Sequence, residues 1–281
     1  MKKLFQVIGI FTLLLGSFMY TDSVTTTSKL SDDLLNEIKE KSSSYRILPK
    51  EAIINNNTII TGVNGKEVDI KKSYEEMKKV GYFNDKLLVY KTIVLDNLKN
   101  NTDKYIISGN KDIKWVSLVF KAHDNDDIRE IVNIFDEQKV RCTFFITSGF
   151  LEKNNNLVID LLQKGYTIGN LSDNENYNDS DFVWMKTVLI NTKFQKYNYC
   201  YAEKQNKDIL NICNIQKSYT IIPSVSYNNP FVFVKNSLSE GKIMSLKINS
   251  ETKKDILNII NYVKAKGYEM VSLEKMINGD I

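Results

Sequence analysis

The chain has 281 residues, 42% hydrophobic and 26% charged, enough for one large barrel or two modest domains and inconsistent with wholesale disorder. Lys and Arg number 38 against 34 Asp and Glu, a net charge of +4 without a basic block, so nucleic acid is not an expected partner. A single histidine, His123, excludes a His-rich metal centre by counting alone.

Met1-Lys2-Lys3 precedes Leu4 to Tyr20, a nearly uncharged apolar run. A basic start before such a run predicts an export signal, and its length is at the lower limit for a bilayer-spanning helix. No small-x-small cleavage site follows, because Gly16-Ser17-Phe18-Met19-Tyr20 is bulky near its end. The expectation is a signal peptide or membrane anchor over residues 1–20, with Lys2 and Lys3 inside and the remaining chain outside the cytoplasm. Three cysteines are present. Cys142 lies in an apolar run and reads as a small core residue. Cys200 and Cys213 could pair, but their spacing alone leaves the bond open.

Residues 21–112 read as a small accessory α+β region. Leu30 to Lys41 has the pattern of an exposed amphipathic helix through Leu34, Leu35 and Ile38. Ser73 to Val80 reads as a short helix capped by Ser73, with Glu75 and Glu76 in its first turn. Short apolar runs at Thr58–Thr61, Leu87–Leu95 and Tyr105–Ile107 alternate with turn signals at Asn64-Gly65 and Gly109-Asn110. No catalytic motif occurs here.

From Trp115 the rhythm changes. Strands are predicted at Trp115–Phe120, Cys142–Thr147, Tyr166–Asn170, Tyr197–Tyr201, Tyr219–Pro223, Ile243–Ile248 and Glu269–Leu273. Helices are predicted at Asp127–Lys139, Leu157–Leu162, Phe182–Phe194 and Asp255–Lys266. Alternating strands and helices argue for an α/β fold with a parallel sheet, and continuous apolar strands mean both faces are buried. About seven strands favour a distorted parallel barrel over residues 113–281, with chemistry expected at the C-terminal strand ends.

Trp115-Val-Ser-Leu-Val-Phe120, Val140-Arg-Cys-Thr-Phe-Phe-Ile-Thr147, Lys164-Gly-Tyr-Thr-Ile-Gly-Asn170 and Val263-Lys-Ala-Lys-Gly-Tyr-Glu-Met-Val-Ser-Leu273 together resemble the polysaccharide deacetylase (NodB-homology) family. Val63-Asn-Gly-Lys-Glu-Val-Asp69 and Ser73-Tyr-Glu-Glu-Met77 resemble, more loosely, a sporulation-associated branch of it. The resemblance implies a divalent metal, such as zinc, held by one Asp and two His. An adjacent Asp then serves as base and a late His as acid.

This chain departs from that pattern at each position. The family's Phe-Asp-Asp-Gly becomes Phe120-Lys121-Ala122-His123, so Lys121 stands for the base and Ala122 for the metal carboxylate. The two metal histidines become Leu171 and Glu175. The base-orienting segment becomes Tyr199-Cys200-Tyr201-Ala202, and the late His signature becomes Ser245-Leu246-Lys247-Ile248. One carboxylate cannot hold a three-ligand zinc site, and an ordinary lysine stays protonated to about pH 10.4.

The loop of His123, Asp124, Asp126 and Asp127 has two readings: capping and charging the next helix, or a relocated metal site. Two readings stay open for the mouth: the lysines simply extend into solvent, or, as the resemblance implies, Lys121, Lys247 and Glu175 converge, replacing a cation by an ion pair with one positive charge left over. Such a mouth would admit an anionic wall group. Asp173, His123 and Tyr201 are candidate groove residues. Tyr199 and Tyr201, alternating along a strand, face one side and could line the groove, whereas Trp184 reads as core.

The leading expectation is a catalytically degenerate deacetylase homologue without cofactor. It would sit at the cell or spore envelope, binding peptidoglycan-type polysaccharide or scaffolding its modification. The alternatives are an active, metal-dependent deacetylase with relocated ligands, and a protein-interaction module.

Overall fold

The structure is a computed structural model and describes residues 12–21, 33–95, 98, 101–172, 177, 179–227 and 229–281. The strands, in chain order, are β1 (Ile53–Ile54), β2 (Thr58–Ile60), β3 (Gly65–Val68), β4 (Tyr90–Ile93), β5 (Tyr105–Ser108), β6 (Trp115–Ala122) and β7 (Thr143–Ile146). They continue with β8 (Thr167–Asn170), β9 (Tyr199–Tyr201), β10 (Tyr219–Ile221), β11 (Ser224–Val225), β12 (Lys242–Lys247) and β13 (Glu269–Met270). Part of the predicted 1–20 segment lies outside the described residues. The helix at 12–21 exposes Leu13, Leu14, Leu15, Phe18 and Met19. Among the described residues no helix is long and apolar enough to cross a membrane.

Two compact units emerge. The first comprises residues up to Leu48 together with Gly65–Ile93. Its antiparallel pair β3–β4 and the helices at 33–42 and Ile70–Met77 enclose a small core of Leu34, Ile38, Val68, Met77 and Leu88. The helix begins earlier than predicted. Asp69 is its cap, accepting from the Lys72 amide, because Ser73 is buried inside the helix with its hydroxyl bonded to Val89.

The second unit is Pro49–Asn64 with Val94–Ile281. The predicted boundary at 112/113 is therefore misplaced. β1, β2 and β5 lie before it, yet they extend the main sheet through the β5–β10 and β2–β5 pairings. That sheet runs β1-β2-β5-β10-β9-β8-β7-β6-β12-β11, with β13 also against β6, and is parallel except at β1–β2. The seven strands from β5 through to β12 curl around an interior, as the barrel expectation required. Backbone contacts draw the curl's two ends together at the turn before β12. The Gly109 amide donates to the Gly241 carbonyl (2.8 Å), and the Gly241 amide donates to Trp115 O (2.8 Å). Gly241 has φ +69°, and a Cβ there would stand 2.2 Å from Gly109 O, so the seam requires glycine.

Side-chain alternation divides the sheet into two layers. Val116, Leu118, Phe120 and Ala122 of β6 face the outer helices Arg129–Glu137, Asn155–Gln163 and Ser250–Ala265. Trp115 and Val119 face inward with Phe145, Leu171, Tyr199, Tyr201, Tyr219 and Ile243. Helix Leu273–Asn278, not anticipated from sequence, closes the N-terminal end of the strands. Its Leu273 and Glu274 amides donate to Thr143 Oγ1 and Thr167 Oγ1 (2.9 and 3.0 Å). Cys142 is a buried free thiol as expected, and Cys200 and Cys213 are bonded, tying the outer face of β9 to helix Lys207–Ile215.

Two predictions follow from these closures. The Glu274 carboxylate accepts from Tyr199 Oη (2.5 Å) and the Lys196 amide (2.6 Å), but burial outweighs these bonds and raises its pKa above the ordinary 4.5. A carboxyl with a raised folded pKa favours folding below the unfolded value, and this contribution is lost as pH rises through the folded one. Wild-type stability should thus fall as pH climbs from about 4.5, and Glu274→Gln should flatten that slope in urea unfolding curves. Cys213→Ala opens a loop of 13 residues and should cost about 3 kcal/mol by the same measurement under non-reducing conditions.

Candidate functional site at the strand ends

The mouth is built by the C-terminal ends of β6, β8, β9 and β12. β6 and β12 pair in parallel with Lys121 opposite Lys247 in register. Two residues earlier Val119 and Ser245 are opposite each other and face inward, so both lysines continue the interior face to the rim. Like charges side by side on one face repel. The structure separates them by giving each a different environment.

Lys121 turns toward β9. Its ammonium forms an ion pair with Glu203, with side chains 22% and 29% exposed, and lies 5.3 Å from the Tyr201 ring centroid. That ring packs edge-on against Phe145 (5.2 Å) and donates its hydroxyl to Ser245 Oγ (3.0 Å). Tyr177 Oη in turn accepts from the Tyr201 amide (3.0 Å). The resulting unit is a half-buried ion pair resting on an aromatic ring, with each neighbouring polar group bonded. Cation–π and charge-assisted hydrogen bonding both act here, and both strengthen as water is excluded.

Of the expected triad, Lys121 and Lys247 reach the rim side by side, and Glu203, just beyond β9, is the described carboxylate that meets Lys121. Glu175 and Asp173 lie outside the described residues. Glu203 lies one residue past the Tyr199–Ala202 segment that carries the family resemblance. The available signal was strand parity, since Glu203 stands two residues after the inward-facing Tyr201. Tyr199 and Tyr201 do share one side, but neither lines an open groove; both are buried in the interior layer. Tyr199 belongs to the opposite end, bonded to Glu274 with its phenol pKa pushed well up by burial. Trp184, expected in the core, is 39% exposed, because the helix Asp179–Asn191 buries Phe182, Met185 and Leu189 instead.

Does this set of side chains fit a divalent metal? Ala122 offers no donor and packs in the outer layer, Leu171 is apolar and buried, and Lys121 brings a positive charge already neutralised by Glu203. The aspartates of the 123–127 loop diverge rather than converge. Asp124 accepts from Thr147 Oγ1 (2.5 Å), Asp126 from the His123 amide (2.8 Å) and Asp127 from the Arg129 amide (3.1 Å), while the His123 side chain is exposed. Only Asp127 serves the following helix as the capping reading expected. Among the described residues no three His, Cys, Asp or Glu side chains form a cluster able to hold a metal. The residues do not fit the family's ion.

With this geometry established, comparison with known proteins assigns the class. Residues 108–239 match the family model for polysaccharide deacetylase. An uncharacterised Bacillus subtilis (strain 168) protein, YlxY, is 28% identical over 229 residues, spanning 80% of this chain and 68% of that protein. A wild-type CE4-family pseudoenzyme from Bacillus anthracis has the same fold, with a TM-score of 0.66 at 20% identity over 88% of this chain and 95% of that one. A mutant of that pseudoenzyme, described as having restored enzymatic activity, aligns with the same score over 98% of its chain. A family 4 carbohydrate esterase from Bacillus anthracis aligns at TM-score 0.52 and 19% identity, covering 64% of this chain and 90% of that one.

The ion pair itself is testable. Glu203→Gln or Lys121→Met should each destabilise by roughly 1–3 kcal/mol, since each strands a half-buried charge. The double variant should cost less than the sum, a coupling read from urea unfolding of all four proteins.

Proposed function

We propose that the protein is a non-hydrolytic member of the deacetylase family that binds envelope polysaccharide outside the cytoplasm. The observation that carries this reading is the Lys121–Glu203 pair seated on Tyr201, which fills the base position with a cation already engaged. Amide hydrolysis by the family route needs a Lewis acid on the carbonyl and a base to activate water. Neither role has a residue suited to it among those described. A parallel barrel whose strand ends present fixed donors and acceptors remains a binding surface without them.

Several observations support the rest of the reading. The Bacillus anthracis neighbour is described as a pseudoenzyme, and this chain shares its fold over nearly the whole length of both. The Cys200–Cys213 bond suits an oxidising compartment, in keeping with Met1-Lys2-Lys3 and the apolar run behind it. Attachment to a membrane through that run, and a role in the spore envelope, belong to the same proposal.

The test has two arms. Purified protein should release no acetate from chitooligosaccharide or peptidoglycan and carry no stoichiometric zinc, while co-sedimenting with purified wall material. Turnover with bound metal would overturn the non-hydrolytic reading. Protein left in the supernatant would overturn the glycan reading.

A further inference from the structure

Lys247 escapes its neighbour in the other direction. It does not reach Glu203; it lines a cavity of ≈ 280 Å³ at the ends of β11 and β12, with Ser226, Tyr227, Asn229, Asn249 and Glu251. No carboxylate pairs with its ammonium among the described residues, although Lys121 beside it is compensated. The rim thus holds one neutralised lysine and one open lysine.

The other walls show what kind of molecule could use that charge. Tyr227 is 76% exposed, and its ring packs on no other aromatic ring among the described residues, leaving a face free for an apolar sugar surface. Glu251 Oε1 accepts from Asn229 Nδ2 (2.9 Å), which orients the carboxylate and leaves Oε2 for a hydroxyl donor. Asn249 spends its Oδ1 on the Thr252 amide (2.8 Å) and keeps its amide NH₂ as a donor. An exposed ring, one acceptor, one amide donor and one uncompensated ammonium match a sugar bearing a single carboxylate. Glu251 would repel a more highly charged group such as a phosphate polymer.

We propose that this cavity is the subsite for a carboxylate-bearing sugar residue of the glycan, with Lys247 pairing the carboxylate and Tyr227 lying against the ring. It rests on the glycan-binding reading above and specifies which part of the mouth does the recognising. Because the chemistry is recognition only, no bond is made or broken. The pair Lys121–Glu203 leaves Lys247 as the open lysine of the two that β6 and β12 bring side by side.

Titration calorimetry of the full chain with two matched probes tests this. One probe is the disaccharide of N-acetylglucosamine and N-acetylmuramic acid; the other is the same disaccharide with its carboxylate amidated. The acid should bind about tenfold more tightly than the amide, with the difference shrinking as salt rises. Lys247→Gln should abolish that preference, Lys247→Arg should keep it, Tyr227→Ala should weaken both probes, and Glu251→Gln should tighten the acid. Equal binding of acid and amide by the wild type, or a preference that survives Lys247→Gln, would overturn this subsite while leaving glycan binding intact. Failure of the wild type to bind either probe or wall material would sink the glycan reading, and the subsite with it.

Discussion

Side chains on a strand alternate with a period of two, and in a sheet curled around an interior this decides which residues share a space. β6 and β12 are paired in register, so Lys121 and Lys247 are brought to the same face at neighbouring positions whatever else the chain does. Two ammonium groups placed this way need either a compensating charge or separate destinations. The fold supplies both: Glu203 for one, an open polar cavity for the other. The character of the mouth follows from that division.

Pocket chemistry in this family depends on a cation held by carboxylate and imidazole ligands. Here the cation, Lys121, is covalently part of the chain, and its partner Glu203 arrives from beyond β9, with β7 and β8 lying between in the sheet. A lysine–glutamate pair on a tyrosine ring satisfies the same electrostatic demand, a compact positive charge in a half-buried setting, without an open coordination position. Leu171, just past β8, adds only interior packing. The likeness to a structurally defined CE4 pseudoenzyme fits this pattern at the level of fold.

The far end of the barrel shows a second use of buried polarity. Glu274 and Tyr199 are joined beneath the interior core, and Thr143 and Thr167 receive the amides of the closing helix. These bonds satisfy helix amides that would otherwise be orphaned at a buried terminus. Their cost is a carboxylate held in a poorly solvated site. The closing contacts at this end and the ion pair at the other are thus built from different residues of the same strands, Tyr199 for one and Tyr201 beside the other.

Much of the fold was legible in the chain. Continuous apolar runs such as Trp115–Phe120 and Cys142–Thr147 marked strands buried on both faces, and Gly165 and Gly267 marked helix ends. Those signals are local, set by periodicity and turn chemistry, and they do not depend on what packs where. That Ala122 and Leu171 bring no donor atom was equally plain, because a residue without one cannot coordinate in any conformation. What the sequence could not decide was partnership. Glu203 meets Lys121, Tyr199 turns to Glu274 rather than to a groove, β1, β2 and β5 join the main sheet, and Cys200 finds Cys213. Each is a contact between segments distant in the chain, or a choice between two directions around the barrel, and only the closed sheet fixes such distances.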